Sequence, residues 1–202
     1  MKLYNHPGFP NPRRVRIFLA EKGLHVPTET IDVPAGQHRT PEYLSKNPSG
    51  LIPALETDSG EVISESASIC RYIEETQPEP ALLGESALEK GFIDMWDRRM
   101  ENQLFNPLGS YFHHSTAGLG DERYRNSEWG HHNRDQAAKE LGILNQRLKD
   151  QPFISGNQFS VADITALCAI DLGLALEAFT LEGLVHLGKW HTNVSARPSA
   201  AA

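Results

Sequence analysis

Strand-like alternation and helical spacing trade places along this chain up to about residue 76, and only helical spacing continues beyond residue 87. Residues 2–6 predict a short strand. Pro7, Gly8, Pro10 and Pro12 then punctuate a loop. Asn11 suits an N-cap and Pro12 the first helical position. Val15, Phe18, Leu19 and Lys22 follow at i, i+3, i+4 spacing, and Gly23 marks the stop. Val26 to Val33 alternates as a second strand, followed by a polar loop with Pro34, Gly36, Gln37 and His38. Pro41 opens a short helix that ends near Asn47. Pro53 to Thr57 and Val62 to Ser64 predict two strands joined by the turn Asp58-Ser59-Gly60. A helix is expected from Ser66 to Thr76, with Ile69, Tyr72 and Ile73 on one face.

The order β-α-β-α-β-β-α carries a topology. A crossover helix between the first two strands implies a parallel pair, and the later hairpin adds antiparallel pairing. A four-stranded mixed sheet flanked by helices is the thioredoxin-like arrangement. The fold class expected is α+β: a thioredoxin-like domain over residues 1–77, a linker over 78–86 and an all-α domain over 87–202. In the second part, residues 87–114 and 122–149 predict long helices, the latter with Ala137, Leu141, Leu144 and Leu148 on one stripe. Ser160 and Asp163 form a capping box, with Phe159 and Ile164 at the hydrophobic-staple positions. The helix that follows is apolar nearly all round and should be buried.

Composition narrows the function classes. Apolar residues make up 39% of the 202 and charged residues 22%, enough to fill a core. The net charge of −7 gives no general attraction for nucleic acid or an anionic membrane. Arg13, Arg14 and Arg16 are the one basic cluster, expected to be a solvated helix face. Cys70 and Cys168 lie far apart and offer neither a redox pair nor a zinc set. His113-His114 and His131-His132 are adjacent pairs, which do not share a helix face, so no metal site is expected. The opening residues contain no apolar run, and the chain reads as cytoplasmic.

Four segments carry a family pattern: Pro10 to Arg16 with Leu19 to Gly23, Asn47-Pro48-Ser49-Gly50-Leu51-Ile52-Pro53-Ala54-Leu55, Glu65-Ser66 before Ile69 and Tyr72-Ile73, and Ser160 to Asp163. With them the chain resembles the cytosolic glutathione S-transferases, closest to bacterial theta, beta and nu types. The resemblance implies a cis Ile52–Pro53 bond. The Ile52 backbone would then bond the cysteinyl part of glutathione as an added strand would. It implies that Ser66, at a helix start that favours anions, holds the γ-glutamyl carboxylate and Glu65 the ammonium. Gln37 and His38 would stand near the glycyl carboxylate.

Two departures from the family pattern stand out. Leu51 replaces a polar residue before the Ile-Pro pair. Phe9 replaces the serine whose hydroxyl faces the sulfur, and Asn5 occupies the tyrosine-type position while Tyr4 should point to the other face. Asn11 remains as a donor to the sulfur, or as only a helix cap. Trp96, Met100, Leu104, Leu108 and Tyr111 recur at helical spacing, as pocket lining for an electrophile or as bundle core. The resemblance further implies a homodimer through the two long helices, with Glu101 or Asn102 of a partner completing the glutamyl site. Glutathione enters as co-substrate, with no other cofactor. Three functions are open: conjugation of glutathione to a hydrophobic electrophile in detoxification, glutathione-dependent disulfide or peroxide reduction, and a non-catalytic binding module.

Overall fold

The computed structural model describes residues 1–117 and 122–202. Chain contacts divide it into two compact units, Met1–Ala81 with Pro198–Ala202, and Leu82–Arg197. The last five residues thus group with the first unit, through a helical turn at Pro198–Ala201 that packs on the first helix.

In the first unit, β1 (Lys2–Asn5), α1 (Pro10–Glu21), β2 (Thr28–Thr30), α2 (Pro41–Lys46), β3 (Ala54–Glu56), β4 (Val62–Ser64) and α3 (Ser66–Thr76) follow in order. The sheet order is β2-β1-β3-β4, with β1 and β2 parallel and the other neighbours antiparallel. This is the expected topology. The second strand is shorter than its alternation suggested, because only Thr28–Thr30 pairs with Leu3–Asn5. On one face Tyr4 packs with Ile31, Tyr43 and Ala54. The buried positions of α1 include Val15, Phe18 and Leu19, the stripe read from the sequence. Lys22 ends that stripe with its ammonium enclosed, bonded to Glu74 at 2.5 Å and to the carbonyls of Pro78 at 2.9 Å and Pro80 at 2.5 Å.

The arginine cluster is not a solvated face. Arg14 is buried, Arg13 donates to the Ala200 carbonyl at 3.1 Å, and Arg16 reaches back over the loop after β1. Packing on more than one side of α1 takes up what a single helix face would leave in water.

The second unit is helical, with α4 (Ala87–Met100), a π-helical turn at Glu101–Phe105, α5 (Asn106–Ser115), α6 (Ser127–Arg147), α7 (Val161–Ala175) and α8 (Val185–Ser195). The run expected over 87–114 is therefore one rod with a π turn in it. Pro107 supplies the reason: a proline inside a helix has no N–H to donate and crowds the carbonyl four residues back, which favours a local change of register. From Val161 to Ile170 every residue of α7 is buried, as its all-round apolar pattern required. No helix among the described residues is long and apolar enough to cross a membrane.

Candidate functional site

The site lies in the first unit, where the starts of α1 and α3 meet. Helix α1 begins at Pro10, and its N-cap is Phe9, which makes no side-chain cap. Pro10 and Pro12 both fit the first turn, whose N–H groups have no helical partner anyway. Asn11 is therefore inside the turn rather than at the cap. This removes the capping role that the sequence left open for it and frees its exposed amide. The Ser66 hydroxyl, at the first position of α3, lies 3.5 Å from Asn11 Oδ1. The starts of the two helices thus lie side by side, neither with a side-chain cap, and an open helix start suits an anion.

Glu65 precedes Ser66 with φ 68° and ψ 119°, a backbone that L side chains rarely adopt, and it makes no side-chain cap. Such conformations cost about 1–3 kcal/mol and persist where the surroundings impose them, often at ligand sites. Its carboxylate is exposed while the Ser66 side chain is buried. A negative group thus stands beside a positive helix end, as a zwitterion would need.

Next to this lies the loop before β3. The Ile52–Pro53 bond is cis, as the motif led one to expect. Gly50 has φ 62°, and a Cβ there would stand 2.7 Å from Arg39 Nη1 and 2.9 Å from the His38 carbonyl. Only glycine lets the two loops approach so closely. Gln37 and His38 are thereby brought beside this loop, although Gln37 Oε1 already accepts the Asp32 N–H at 2.7 Å. The Leu51 side chain is exposed and contributes only its backbone to the loop.

The loop between β1 and α1 closes the other side. Phe9 lies against His6 with ring centroids 4.1 Å apart, and His6 Nδ1 accepts the Gly8 N–H at 3.2 Å. Arg16 braces the loop through Asn5 Oδ1 at 2.6 Å and the carbonyls of His6 at 3.3 Å and Pro7 at 3.0 Å. Asn5 is buried and occupied by Arg16, and Tyr4 points to the opposite face with its hydroxyl on Glu56. Among the side chains of this loop and first turn, Asn11 is the exposed amide. The bracing by Arg16 was missed in the sequence, although an arginine in the second turn of a helix that follows a proline-rich loop could have suggested it.

The residues considered for an electrophile pocket divide differently. Met100, Leu104 and Leu108 are fully buried and Trp96 nearly so, which makes them core of the second unit. Arg99 and Arg147 stand over the Trp96 ring at 5.1 Å and 4.8 Å. Tyr111 is half-buried, edge-on to His131 at 5.8 Å. The histidine pairs diverge: His131 binds the Ser127 carbonyl at 2.6 Å while His132 stacks on Trp129. Among the described residues no three potential metal ligands cluster.

Family models and relatives match the chain over most of its length. A family model described as glutathione S-transferase, N-terminal domain, matches residues 10–76, and one described as glutathione S-transferase, C-terminal domain, matches residues 107–198. Glutathione S-transferase 2 of Saccharomyces cerevisiae is 39% identical over 203 residues, covering 98% of this chain and 87% of that one. A maleylacetoacetate isomerase of Pseudomonas aeruginosa is 32% identical over 195 residues, covering 89% and 86%. The crystal structure of a glutathione S-transferase domain-containing protein of Marinobacter aquaeolei matches with a TM-score of 0.94 at 39% identity, covering 98% and 99%.

Proposed function

We propose a function from one premise: the chain belongs to the glutathione S-transferase family. It is a transferase that conjugates glutathione to a hydrophobic electrophile. The observation that carries the site assignment is the meeting of Ser66 and Asn11 at two helix starts.

In this reading the γ-glutamyl carboxylate sits on the Ser66 hydroxyl and N–H, and the glutamyl ammonium faces Glu65. The cysteinyl backbone lies along Ile52, which directs the sulfur toward Phe9 and Asn11. Gln37 and His38 lie toward the glycyl end. Phenylalanine has no hydrogen to donate, so the thiolate is stabilised by the Asn11 amide and the start of α1. A thiol with its ordinary pKa of about 8.5 is mostly protonated at neutral pH. Lowering that value by one unit takes about 1.4 kcal/mol, within the reach of one amide hydrogen bond and a helix end. Catalysis then consists of holding two reactants together and keeping the nucleophile charged.

The same observation favours a second activity. With Phe9 in place of the serine-type hydroxyl, an amide donor suits disulfide or peroxide reduction by glutathione, with slow conjugation of simple aromatic halides. A binding module without catalysis is the outcome if Phe9 has ended thiolate formation. Ultraviolet titration of bound thiolate separates these. Asn11→Ala is expected to raise the bound-thiol pKa by about one unit, and Phe9→Ser to lower it. An unchanged value in a folded Asn11→Ala protein removes Asn11 from the chemistry.

The proposal includes a cytoplasmic homodimer. Leu88, Phe92 and Met95 form an exposed apolar stripe on α4, and Ile143 is exposed on α6. Such a stripe suits burial against a second copy. Glu101 is held by Arg98 and Asn102 is exposed; in the dimer either completes the partner's glutamyl site. Sedimentation at micromolar concentration is expected to show a dimer, and a monomer there overturns this part.

A further inference from the structure

The loop that carries Ile52 is gripped from the protein side by two buried side chains. The Tyr43 hydroxyl, from α2, donates to the Leu51 carbonyl at 2.7 Å. Asn47 Nδ2 donates to the same oxygen at 2.8 Å. A carbonyl oxygen has two lone pairs, and these two donors fill them. Asn47 Oδ1 meanwhile accepts from the Ser49 hydroxyl at 2.9 Å, and Ser49 Oγ accepts the Leu51 N–H at 3.2 Å. Both polar groups of the Leu51 backbone are thus used inside the protein. Among the described residues no hydrogen bond engages the Ile52 N–H or C=O.

Peptide geometry turns this into an orientation. The Leu51–Ile52 bond is trans, so the Leu51 C=O and the Ile52 N–H lie in one plane and point in opposite directions. Fixing the carbonyl inward aims the next N–H outward. The Tyr43 ring is itself fixed, edge-on to Tyr4 with centroids 5.8 Å apart, and Ile52 packs against the same cluster. Burial raises the Tyr43 phenol above its ordinary value, so it remains a donor at neutral pH.

We propose that Tyr43 and Asn47 are positioning residues for glutathione: by holding the Leu51 carbonyl they set the plane of the Leu51–Ile52 peptide and present its N–H to the cysteinyl backbone. This rests on the reading that glutathione docks along Ile52. Neither side chain touches the ligand.

Calorimetry with glutathione tests the proposal on three variants: Tyr43→Phe, Asn47→Asp and Ser66→Ala. Tyr43→Phe keeps the ring and removes only the hydroxyl. It is expected to weaken glutathione by about threefold to tenfold, the worth of one hydrogen bond. Asn47→Asp keeps the acceptor for Ser49 and removes the donor, so it is expected to weaken binding at least as much. In both, KM for glutathione should rise while kcat at saturating glutathione and KM for the electrophile hold. A merely structural role would not separate these constants. Tyr43→Phe and Asn47→Asp that bind like the parent, beside a weakened Ser66→Ala, overturn the clamp and leave the site standing. If all three bind like the parent, the site and the clamp fall together. Weakened Tyr43→Phe beside an unaffected Ser66→Ala supports the clamp and moves only the glutamyl end.

Discussion

Two helix starts in this protein are built to opposite ends. At α7 the buried Asp163 accepts from the Ser160 N–H at 3.0 Å, the Ser160 hydroxyl at 3.2 Å, the Ile154 N–H at 3.0 Å and the Trp190 indole at 2.8 Å. The start of α3 has no side-chain cap, an exposed acid in a left-handed backbone and a serine facing another helix start. The first start turns its acid on its own chain through four donors. The second makes no side-chain cap from its N-cap residue. A helix end whose donors are all satisfied contributes stability, and one left open beside a strained residue offers binding.

The strongest way to break this contrast is at α7. Asp163→Ala strands three buried donors, the Ile154 and Ser160 N–H groups and the Trp190 indole. Denaturant unfolding is expected to show a loss of about 3 kcal/mol or more. Glutathione affinity of the folded protein should hardly change. A stability near the parent's would mean that water or rearrangement takes over the cap.

Titration sharpens the same point. Burial pushes the Asp163 carboxyl up to about 6, against the opposing effect of its hydrogen bonds. A raised acid is stabilising while protonated. Its contribution is complete below the unfolded value near 3.8 and is lost as pH rises through about 6. The stability of the parent relative to Asp163→Asn should therefore fall between about pH 4 and pH 6, by about 3 kcal/mol at about 1.4 kcal/mol per pKa unit. A flat difference curve would show that Asp163 has an ordinary pKa.

A smaller effect is expected at the open start. Glu65→Gly relieves a backbone that glycine adopts freely, and stability should rise by about 1 kcal/mol or less. Glutathione affinity should fall at the same time, because in the proposed site the ammonium loses its partner. A variant that is less stable than the parent would show that the Glu65 side chain serves the fold.

Much of the contrast is legible in the sequence, for local reasons. The Ser66 helix start, the Ser160–Asp163 pair and the Ile52–Pro53 motif are each written within a few residues. What was not legible depends on distance along the chain. Trp190 completes the Asp163 cap from 27 residues away, and Ser66 meets Asn11 across 55. The arginines after Pro12 look like a solvated face because nothing nearby shows that α1 is covered by Ala200 or that Arg16 folds back on Asn5. Asn11 reads equally as a cap or as a donor because Asn-Pro is a good helix opening, yet Pro10 opens the helix just as well. Burial of Met100, Leu104 and Leu108 separated core from pocket, which their spacing does not distinguish.

In the proposed site the open start of α3 holds the γ-glutamyl end of glutathione. Isothermal calorimetry of glutathione on Ser66→Ala against the parent reads this contact alone. The loss of one charge-assisted hydrogen bond, on the order of 1.5–3 kcal/mol, predicts affinity weakened about tenfold or more, with unfolding stability little changed. Parent-like affinity in the folded variant would contradict the claim and place the glutamyl group elsewhere.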